Sequence, residues 1–305
     1  MKRKVIQIAG STQLISLPRK WAQKFDIKKG DELEVSEQSN KLVISTEKEL
    51  GMNQITIDVK NLNPRMIKWV LTAVHKAGYD EVEILFEDPS IFDIIQERLR
   101  ELLGYMVIEH SKKRCLVKSI SQGIEQEFDS TLRRAFLVTL SMAESALEML
   151  RKGDNPHLKD ITSLESTNNQ LTNFCHRILN KRGYKDAKKT TYLYVIIMFL
   201  ESIADSYKDI CLYLSRPENA KYVVSKKTIS FFEKINKMLS TYYHVFYHRD
   251  DRKLASIAEA RHTIPGEAYN LMNKNTHQEI VILNLLLSVY QQIVDSMDSF
   301  AGLQY

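Results

Sequence analysis

Strand signals disappear from residue 124 onward, and the pattern that replaces them is the strongest constraint on the fold. Apolar residues recur at helical spacing in six stretches: Glu125–Arg151, Pro156–Lys181, Thr190–Ser215, Ser225–His248, Lys253–Lys274 and Thr276–Gly302. Gly and Pro punctuate the short links between them. Long helices with short links form antiparallel bundles. We therefore predict an all-α domain over residues 124–305, built from two three-helix repeats.

Composition narrows the class of protein. The 305 residues are 44% hydrophobic and 27% charged, which suits a soluble, helix-rich protein of two or three domains. No apolar run follows Met1, and the longest apolar runs are shorter than the ~18 residues of a membrane span, so we expect neither a signal peptide nor a membrane helix. Cys115, Cys175 and Cys211 form no CxxC pair, which favours a reducing cytoplasm without disulfides or structural zinc.

Positive charge is concentrated at the start of the chain. The first 30 residues hold eight Lys or Arg against one acid, Asp26, although the whole chain carries only +5. A basic segment on a near-neutral body indicates a polyanionic partner for that segment. A solvated basic tail is the alternative, and it would apply if the segment had no structure.

The same segment has clear structural signals. KVIQIAG and ELEVSEQSNKLVIST alternate as strands do, and Pro18 suits the first turn of a short helix that places Trp21 and Phe25 on one face. A unit of this size is too small to bury a core alone. We therefore predict that residues 1–48 form half of a barrel, completed by a second copy of the chain.

These motifs resemble the SpoVT/AbrB family of swapped-hairpin DNA-binding domains. The resemblance rests on SLP, the basic helix with an aromatic anchor, the pattern IxxGDxLxV and the final LVI, over roughly residues 1–46. It implies an intertwined homodimer that contacts DNA through its basic face. The residues that it assigns to DNA contact are Arg3, Lys4, Arg19, Lys20 and Lys24.

The middle of the chain predicts a small α/β domain. Short strands and two amphipathic helices alternate as β-α-β-α-β-β over residues 52–120, with a ferredoxin-like arrangement as one option. No Gly-rich phosphate loop occurs there. A spacer and a small-ligand fold are equal interpretations of this domain.

A row of acids lies in the third predicted helix of the bundle. Glu201, Asp205 and Asp209 recur every four residues and therefore line one flank of the helix. Oxygen ligands in a row could hold a divalent or iron cation. The alternative is a solvated face that Lys208 partly neutralises.

The helical region resembles the PhoU family of phosphate-uptake regulators. The resemblance rests on the two three-helix repeats, the opening EQEFDSTLRRAF and the motif LESIAD. It implies metal ions on the bundle surface, held at Glu201 and Asp205 in the first repeat. In the second repeat Asp295 matches the motif, whereas Gln291 replaces the acid.

Other constellations favour packing over chemistry. His244 and His248 have a metal-ligand spacing, but Tyr242, Tyr243 and Tyr247 surround them, which favours an aromatic cluster. No nucleophile elbow and no HExxH motif occurs, so we expect no enzyme.

Together these features predict a multidomain, cytoplasmic, homodimeric transcription regulator of phosphate uptake. It would bind DNA with its head, residues 1–48, and sense phosphate status with its PhoU-like body, residues 124–305. The alternative is an interaction protein whose body docks a phosphate transporter or a signalling kinase, with the basic head used for dimerisation alone.

Overall fold

The structure is a computed structural model that describes residues 2–8, 10–38, 41–46, 53–120, 127–273 and 275–304. The chain divides into two compact units, Met1–Ile55 and Thr56–Tyr305. The predicted domain limits at residues 48, 52, 124 and 305 fall outside the described residues. The three-domain division therefore stays a prediction, and each unit is described by itself.

The first unit is small and rich in strands. Its elements are β1 (Ile6–Ile8), β2 (Thr12–Leu14), α1 (Arg19–Lys24), β3 (Glu34–Gln38) and β4 (Lys41–Ser45). They form two separate antiparallel pairs, β1 with β2 and β3 with β4. The β-rich character of the head is confirmed. Closure into a barrel needs strands from another chain and stays a prediction.

The second unit contains a mixed four-stranded sheet, whose first strand starts two residues before the unit boundary at Thr56. Its strands are β5 (Gln54–Asp58), β6 (Glu81–Leu85), β7 (Tyr105–His110) and β8 (Arg114–Ser119), in the spatial order β5-β6-β8-β7. Two helices alternate with them, α2 (Pro64–Lys76) and α3 (Ile91–Leu99). The predicted β-α-β-α-β-β order is therefore confirmed.

The ferredoxin-like arrangement of this domain is wrong. That arrangement is a β-α-β-β-α-β unit, whereas here both helices precede a final hairpin. Ser111 N–H donates to the Arg114 carbonyl at 2.8 Å, which closes the tight connection between β7 and β8. Strand β8 consequently lies between β6 and β7.

One face of this sheet is buried. Val82 and Ile84 of β6 and Cys115 and Val117 of β8 are all at most 1% exposed, as the period of two predicts for a strand with one covered face. The other face carries charged cross-strand pairs such as Lys118–Glu81, whose Nζ and carboxylate oxygen are 2.8 Å apart.

Helices make up the rest of the second unit. They are α4 (Phe128–Lys152), α5 (Leu158–Arg182), α6 (Thr190–Leu214), α7 (Lys226–Tyr247), α8 (Asp251–Met272), α9 (His277–Asp295) and the short α10 (Met297–Gly302). The six predicted helical stretches are confirmed. The predicted start of the first at Glu125 and the predicted end of the fifth at Lys274 lie outside the described residues.

The bundle packs as two groups of helices. Helix α5 contacts α4 and α6, and α8 contacts α7 and α9, while the pairs α6–α9 and α4–α7 join the two groups. One continuous apolar core runs through all six long helices. This arrangement confirms a helical region, whereas a PhoU-type repeat remains a prediction.

Helices α9 and α10 together form the one helical segment in the described residues that is long and apolar enough to cross a membrane, from His277 to Gly302. Ile282, Leu283 and Leu286 of α9 are completely buried in the bundle. A core helix of a bundle passes the same test of length and composition. The most apolar window of the segment is 39% buried within the protein, and the predicted cytoplasmic location stays a prediction.

Candidate nucleic-acid interface

Helix α1 carries three of the five residues assigned to DNA contact. Pro18 precedes the helix as its N-cap residue, with extended backbone angles of φ −61° and ψ 122°. Its carbonyl accepts from the Ala22 N–H at 3.0 Å, which closes the first turn. The six-residue helix that follows presents Arg19, Lys20 and Lys24 within one and a half turns.

An aromatic pair anchors this helix. The rings of Trp21 and Phe25 lie 5.4 Å apart, on one side of α1 as their spacing predicts. The Lys24 ammonium lies 5.5 Å from the centre of the Phe25 ring, a distance that allows a cation–π contact. The aromatic pair therefore positions at least one of the basic side chains.

All five residues assigned to DNA contact, Arg3, Lys4, Arg19, Lys20 and Lys24, are exposed. None of them forms an ion pair with another residue that the structure describes. Lys28 differs, because its Nζ lies 2.9 Å from an Asp26 carboxylate oxygen. The hydrogen bond and charge of Asp26 raise the pKa of Lys28. The positive charge of the head is thus available to an external anion.

The strands of the head expose their apolar side chains. Ile6 is 56% exposed, its cross-strand partner Leu14 is 45% exposed, and Leu42 in β4 is 68% exposed. No side chain that the structure describes between residues 2 and 46 is buried. A two-stranded hairpin is marginally stable in water at best. The first unit therefore has apolar strands without the covering layer that they require.

Lysine side chains form ion pairs with two acids of the predicted row on α6. The Lys76 Nζ lies 3.2 Å from a Glu201 carboxylate oxygen, and Lys208 hydrogen-bonds Asp205 on its own helix. Lys208 also reaches Glu165 of α5 at 3.1 Å, and burial raises the pKa of that carboxyl. The repulsion within the row is thus relieved by cationic side chains.

The other two acids assigned to metal binding have different surroundings. Asp209 is exposed, and Asp295 lies on α9, where the Gln291 amide donates to its carboxylate at 2.7 Å. Within the described parts of the chain, no three His, Cys, Asp or Glu side chains come together in a way that could hold a metal ion. Metal binding by Glu201, Asp205, Asp209 and Asp295 stays a prediction without structural support.

The tyrosines that flank His244 and His248 in sequence belong to an aromatic cluster. Phe136 of α4 packs its ring within 6 Å of Tyr242, Tyr243 and Tyr247. The rings of His244, in α7, and His248, directly after it, lie 5.3 Å apart.

Sequence reasoning missed a buried ion pair. Arg177 of α5 is 0% exposed, and its guanidinium donates to Asp80 at 2.7 Å and to the Tyr79 carbonyl at the same distance. A charged residue within the apolar run FCHRILN was the available signal. The partner Asp80 lies nearly 100 residues earlier, so no local pattern could identify it.

Comparison with known proteins supports the reading of the head only. The family described as "Antidote-toxin recognition MazE, bacterial antitoxin" matches residues 6–50. This region is a MazE/AbrB-type, antitoxin-like domain, in agreement with the SpoVT/AbrB resemblance. The match covers less than half of the chain, so it describes the N-terminal unit alone. The PhoU resemblance of the helical region has no support from a family match.

No curated protein matches the chain, and no solved structure matches it.

Proposed function

We propose that this chain is a dimeric DNA-binding regulator. In the proposal, the head pairs with the head of a second copy and presents its Lys and Arg side chains to DNA phosphates. One observation carries the proposal: the strands of the head expose apolar residues that need a covering layer, beside cations that lack a described ion-pair partner. The MazE/AbrB-type match over residues 6–50 supports it.

Pairing of two heads would favour DNA binding because it doubles the positive charge that faces the DNA. Two heads side by side bring two copies of the basic set onto one duplex. Each cation that neutralises a phosphate releases a condensed counterion, so affinity falls steeply with salt. Phosphate contacts position the protein, whereas sequence is read at base edges. The proposal therefore assigns Arg3, Lys4, Arg19, Lys20 and Lys24 to affinity and leaves base recognition to positions not yet identified.

The helical unit would be the sensing or partner-binding part of the regulator, and we assign it no catalytic activity. The proposed link to phosphate uptake rests on helix order, on the opening EQEFDSTLRRAF and on the LESIAD motif. The competing proposal is an interaction protein whose bundle docks a phosphate transporter or a kinase. The description of the matched family names toxin recognition. A partner protein is therefore the alternative to a second head as the cover for the exposed strands.

DNA titration of the full chain tests the proposal. Fluorescence anisotropy would follow binding to duplexes from upstream of phosphate-transport operons and to a scrambled duplex, over a series of salt concentrations. Binding is expected to weaken as salt is added. A plot of the logarithm of the binding constant against the logarithm of the salt concentration should have a slope that corresponds to the release of several counterions. The Arg19→Ala/Lys20→Ala variant should bind more weakly to every duplex and show a smaller slope.

A matched control removes two exposed lysines elsewhere. Lys226 and Lys227 are exposed at the start of α7, and the Lys226→Ala/Lys227→Ala variant should bind DNA as the wild type does. Equal affinity of the wild type and the Arg19→Ala/Lys20→Ala variant would contradict the regulator proposal and favour an interaction protein.

A further inference from the structure

An open cavity between helices of the bundle, whose charged lining residues Arg261, Asp295 and Asp298 are exposed, has the composition of a ligand site. Its volume is about 680 Å³, within the range of small-molecule pockets. Helices α6, α8, α9 and α10 line it with Phe199, Arg261, Pro265, Tyr290, Gln291, Val294, Asp295 and Asp298. This set combines an apolar wall with charges of both signs.

A proline inside α8 helps to shape this cavity. Pro265 stands within the helix Asp251–Met272. Its ring supplies no N–H and displaces the carbonyl four residues earlier, which is that of Arg261. Proline at this position loosens the helix beside the Arg261 side chain, and both residues line the cavity.

Tyr290 supplies a polar group that lacks a partner inside the protein. Tyr290 lines the cavity and is only 2% exposed. Its hydroxyl has no hydrogen-bond partner within the part of the chain that the structure describes. Burial raises the pKa of Tyr290, while the nearby Arg261 charge opposes the shift. The hydroxyl oxygen, unlike the rest of this side chain, is not fully buried, so a water or a ligand atom in the cavity can pair with it.

The charges of the cavity define what it can accept. Arg261 offers a planar set of donors to a carboxylate, while Asp295 and Asp298 offer acceptors. The Gln291 amide donates a hydrogen bond to one carboxylate oxygen of Asp295 at 2.7 Å. The carboxylate can still accept hydrogen bonds from a ligand. One cation against two acids repels a free phosphate ion. Phe199, Pro265 and Val294 provide an apolar wall.

We propose that this cavity binds a small zwitterion with an apolar body, such as a free amino acid or a dipeptide with aliphatic or aromatic side chains. The ligand carboxylate pairs with Arg261, and its ammonium group lies against Asp295 and Asp298. The Tyr290 hydroxyl completes the polar contacts. This inference concerns the second unit alone and does not depend on DNA binding by the head.

Calorimetric titration of the full chain with matched probes tests the inference. The probes are leucine, phenylalanine and leucyl-leucine, together with N-acetyl-leucine, which lacks the ammonium group, and leucine amide, which lacks the carboxylate. Saturable binding is expected for at least one zwitterion. Its N-acetyl or amide counterpart should bind roughly tenfold or more weakly, because each loses a charge-assisted contact.

Variants assign each contact to a residue. Arg261→Gln should weaken zwitterion binding roughly tenfold and leave leucine amide binding unchanged, whereas Asp298→Asn should weaken the zwitterion but not N-acetyl-leucine. Arg252, an exposed arginine of the same helix that does not line the cavity, provides the control, and Arg252→Gln should bind as the wild type does.

Three outcomes would overturn the inference. The first is the absence of saturable binding by all three zwitterions. The second is equal binding of a zwitterion and its blocked counterparts. The third is competition for the cavity by inorganic phosphate or by magnesium chloride alone, which would identify an anion or a cation site. Each leaves the DNA-binding proposal unaffected, because that proposal is tested on the head.

Discussion

A buried arginine connects the sheet to the bundle in the second unit. The Arg177 guanidinium donates to Asp80 at 2.7 Å and lies 5.2 Å from the Tyr105 ring, and Lys181 reaches the same Asp80 oxygen at 2.7 Å. The Nε atom of Arg177 has no hydrogen-bond partner among the described residues. The remaining contacts offset the desolvation of a fully buried cation only while all of them are present.

Removing one partner of this pair should therefore be costly. We expect Asp80→Asn to lower the free energy of unfolding by about 3–5 kcal/mol, because it leaves an uncompensated buried charge. Urea unfolding followed by circular dichroism measures the change. Lys152→Met, which removes an exposed ion pair with Glu148, is the control and should change little. A similar small loss in both variants would show that Asp80 does not stabilise Arg177.

Two buried histidines should make stability depend on pH. Burial lowers the pKa of His75 to about 3 and that of His176 to about 4. Above the unfolded pKa of about 6.5 neither state carries the proton, and the stabilisation is complete. Below that pH only the unfolded chain takes up the proton. Stability therefore falls as the pH drops from 6.5 toward the folded pKa.

Each histidine should contribute about 2 kcal/mol of lost stability between about pH 7 and pH 5. The His75→Gln variant should lose one such contribution and show a correspondingly smaller dependence on pH. Urea unfolding of both proteins at the two pH values measures it. Parallel pH profiles for the wild type and the variant would contradict the assignment to His75.

At the scale of the element, two glycines in helices should respond oppositely to the same substitution. A Cβ atom at Gly302 of α10 would lie 2.5–2.8 Å from ring atoms of Tyr192, whereas a Cβ atom at Gly266 of α8 would meet nothing within 4 Å. Gly302→Ala should destabilise the protein by up to about 1 kcal/mol, because the ring of Tyr192, which is 39% exposed, must move to admit the methyl group. Gly266→Ala should stabilise it by about 0.5–1 kcal/mol, because alanine is the better helix former.

Thermal unfolding of the two alanine variants beside the wild type checks this prediction. The opposite signs make the pair its own control, since a general effect of helix propensity would move both variants the same way. Stabilisation by Gly302→Ala would show that α10 does not pack closely on α6.

Local signals explain why the helices were predictable. The side chains of Ser225, Asp250 and Thr276 each accept a hydrogen bond from a backbone N–H three residues later, at the starts of α7, α8 and α9. Such caps and the apolar period of 3.6 residues are readable from sequence. The end of α3 was less readable. Apolar residues continue to Leu103, whereas the helix ends at Leu99.

Contacts between distant segments were not predictable. The acidic row on α6 was visible as spacing, and Lys208 was readable as a neighbouring cation, but its other cation, Lys76, lies 125 positions before Glu201. The cavity beside Pro265 likewise combines side chains from four helices. In the head, by contrast, the candidate interface was readable, because its basic residues and its alternating strands all lie within 46 residues.

In the proposed DNA-binding dimer, two chains are needed to bury the apolar side chains of the head. A single copy leaves Val5, Ile6, Ile8, Leu14, Ile15, Val35 and Leu42 of the head 45–68% exposed. Burial of apolar surface yields roughly 25 cal/mol per Å², so covering these side chains is a strong driving force for association. The central claim is that a second copy provides the cover and that pairing creates the DNA-binding surface.

Sedimentation equilibrium of the full chain, with and without duplex DNA, tests this claim most directly. The account predicts a dimer in both cases. It predicts a monomer that no longer binds DNA for the Ile6→Lys/Leu14→Lys variant, which places charge on a cross-strand pair of the head. Val223 is 79% exposed in the second unit, and Val223→Lys should stay dimeric. A wild-type chain that binds DNA as a monomer would contradict the claim.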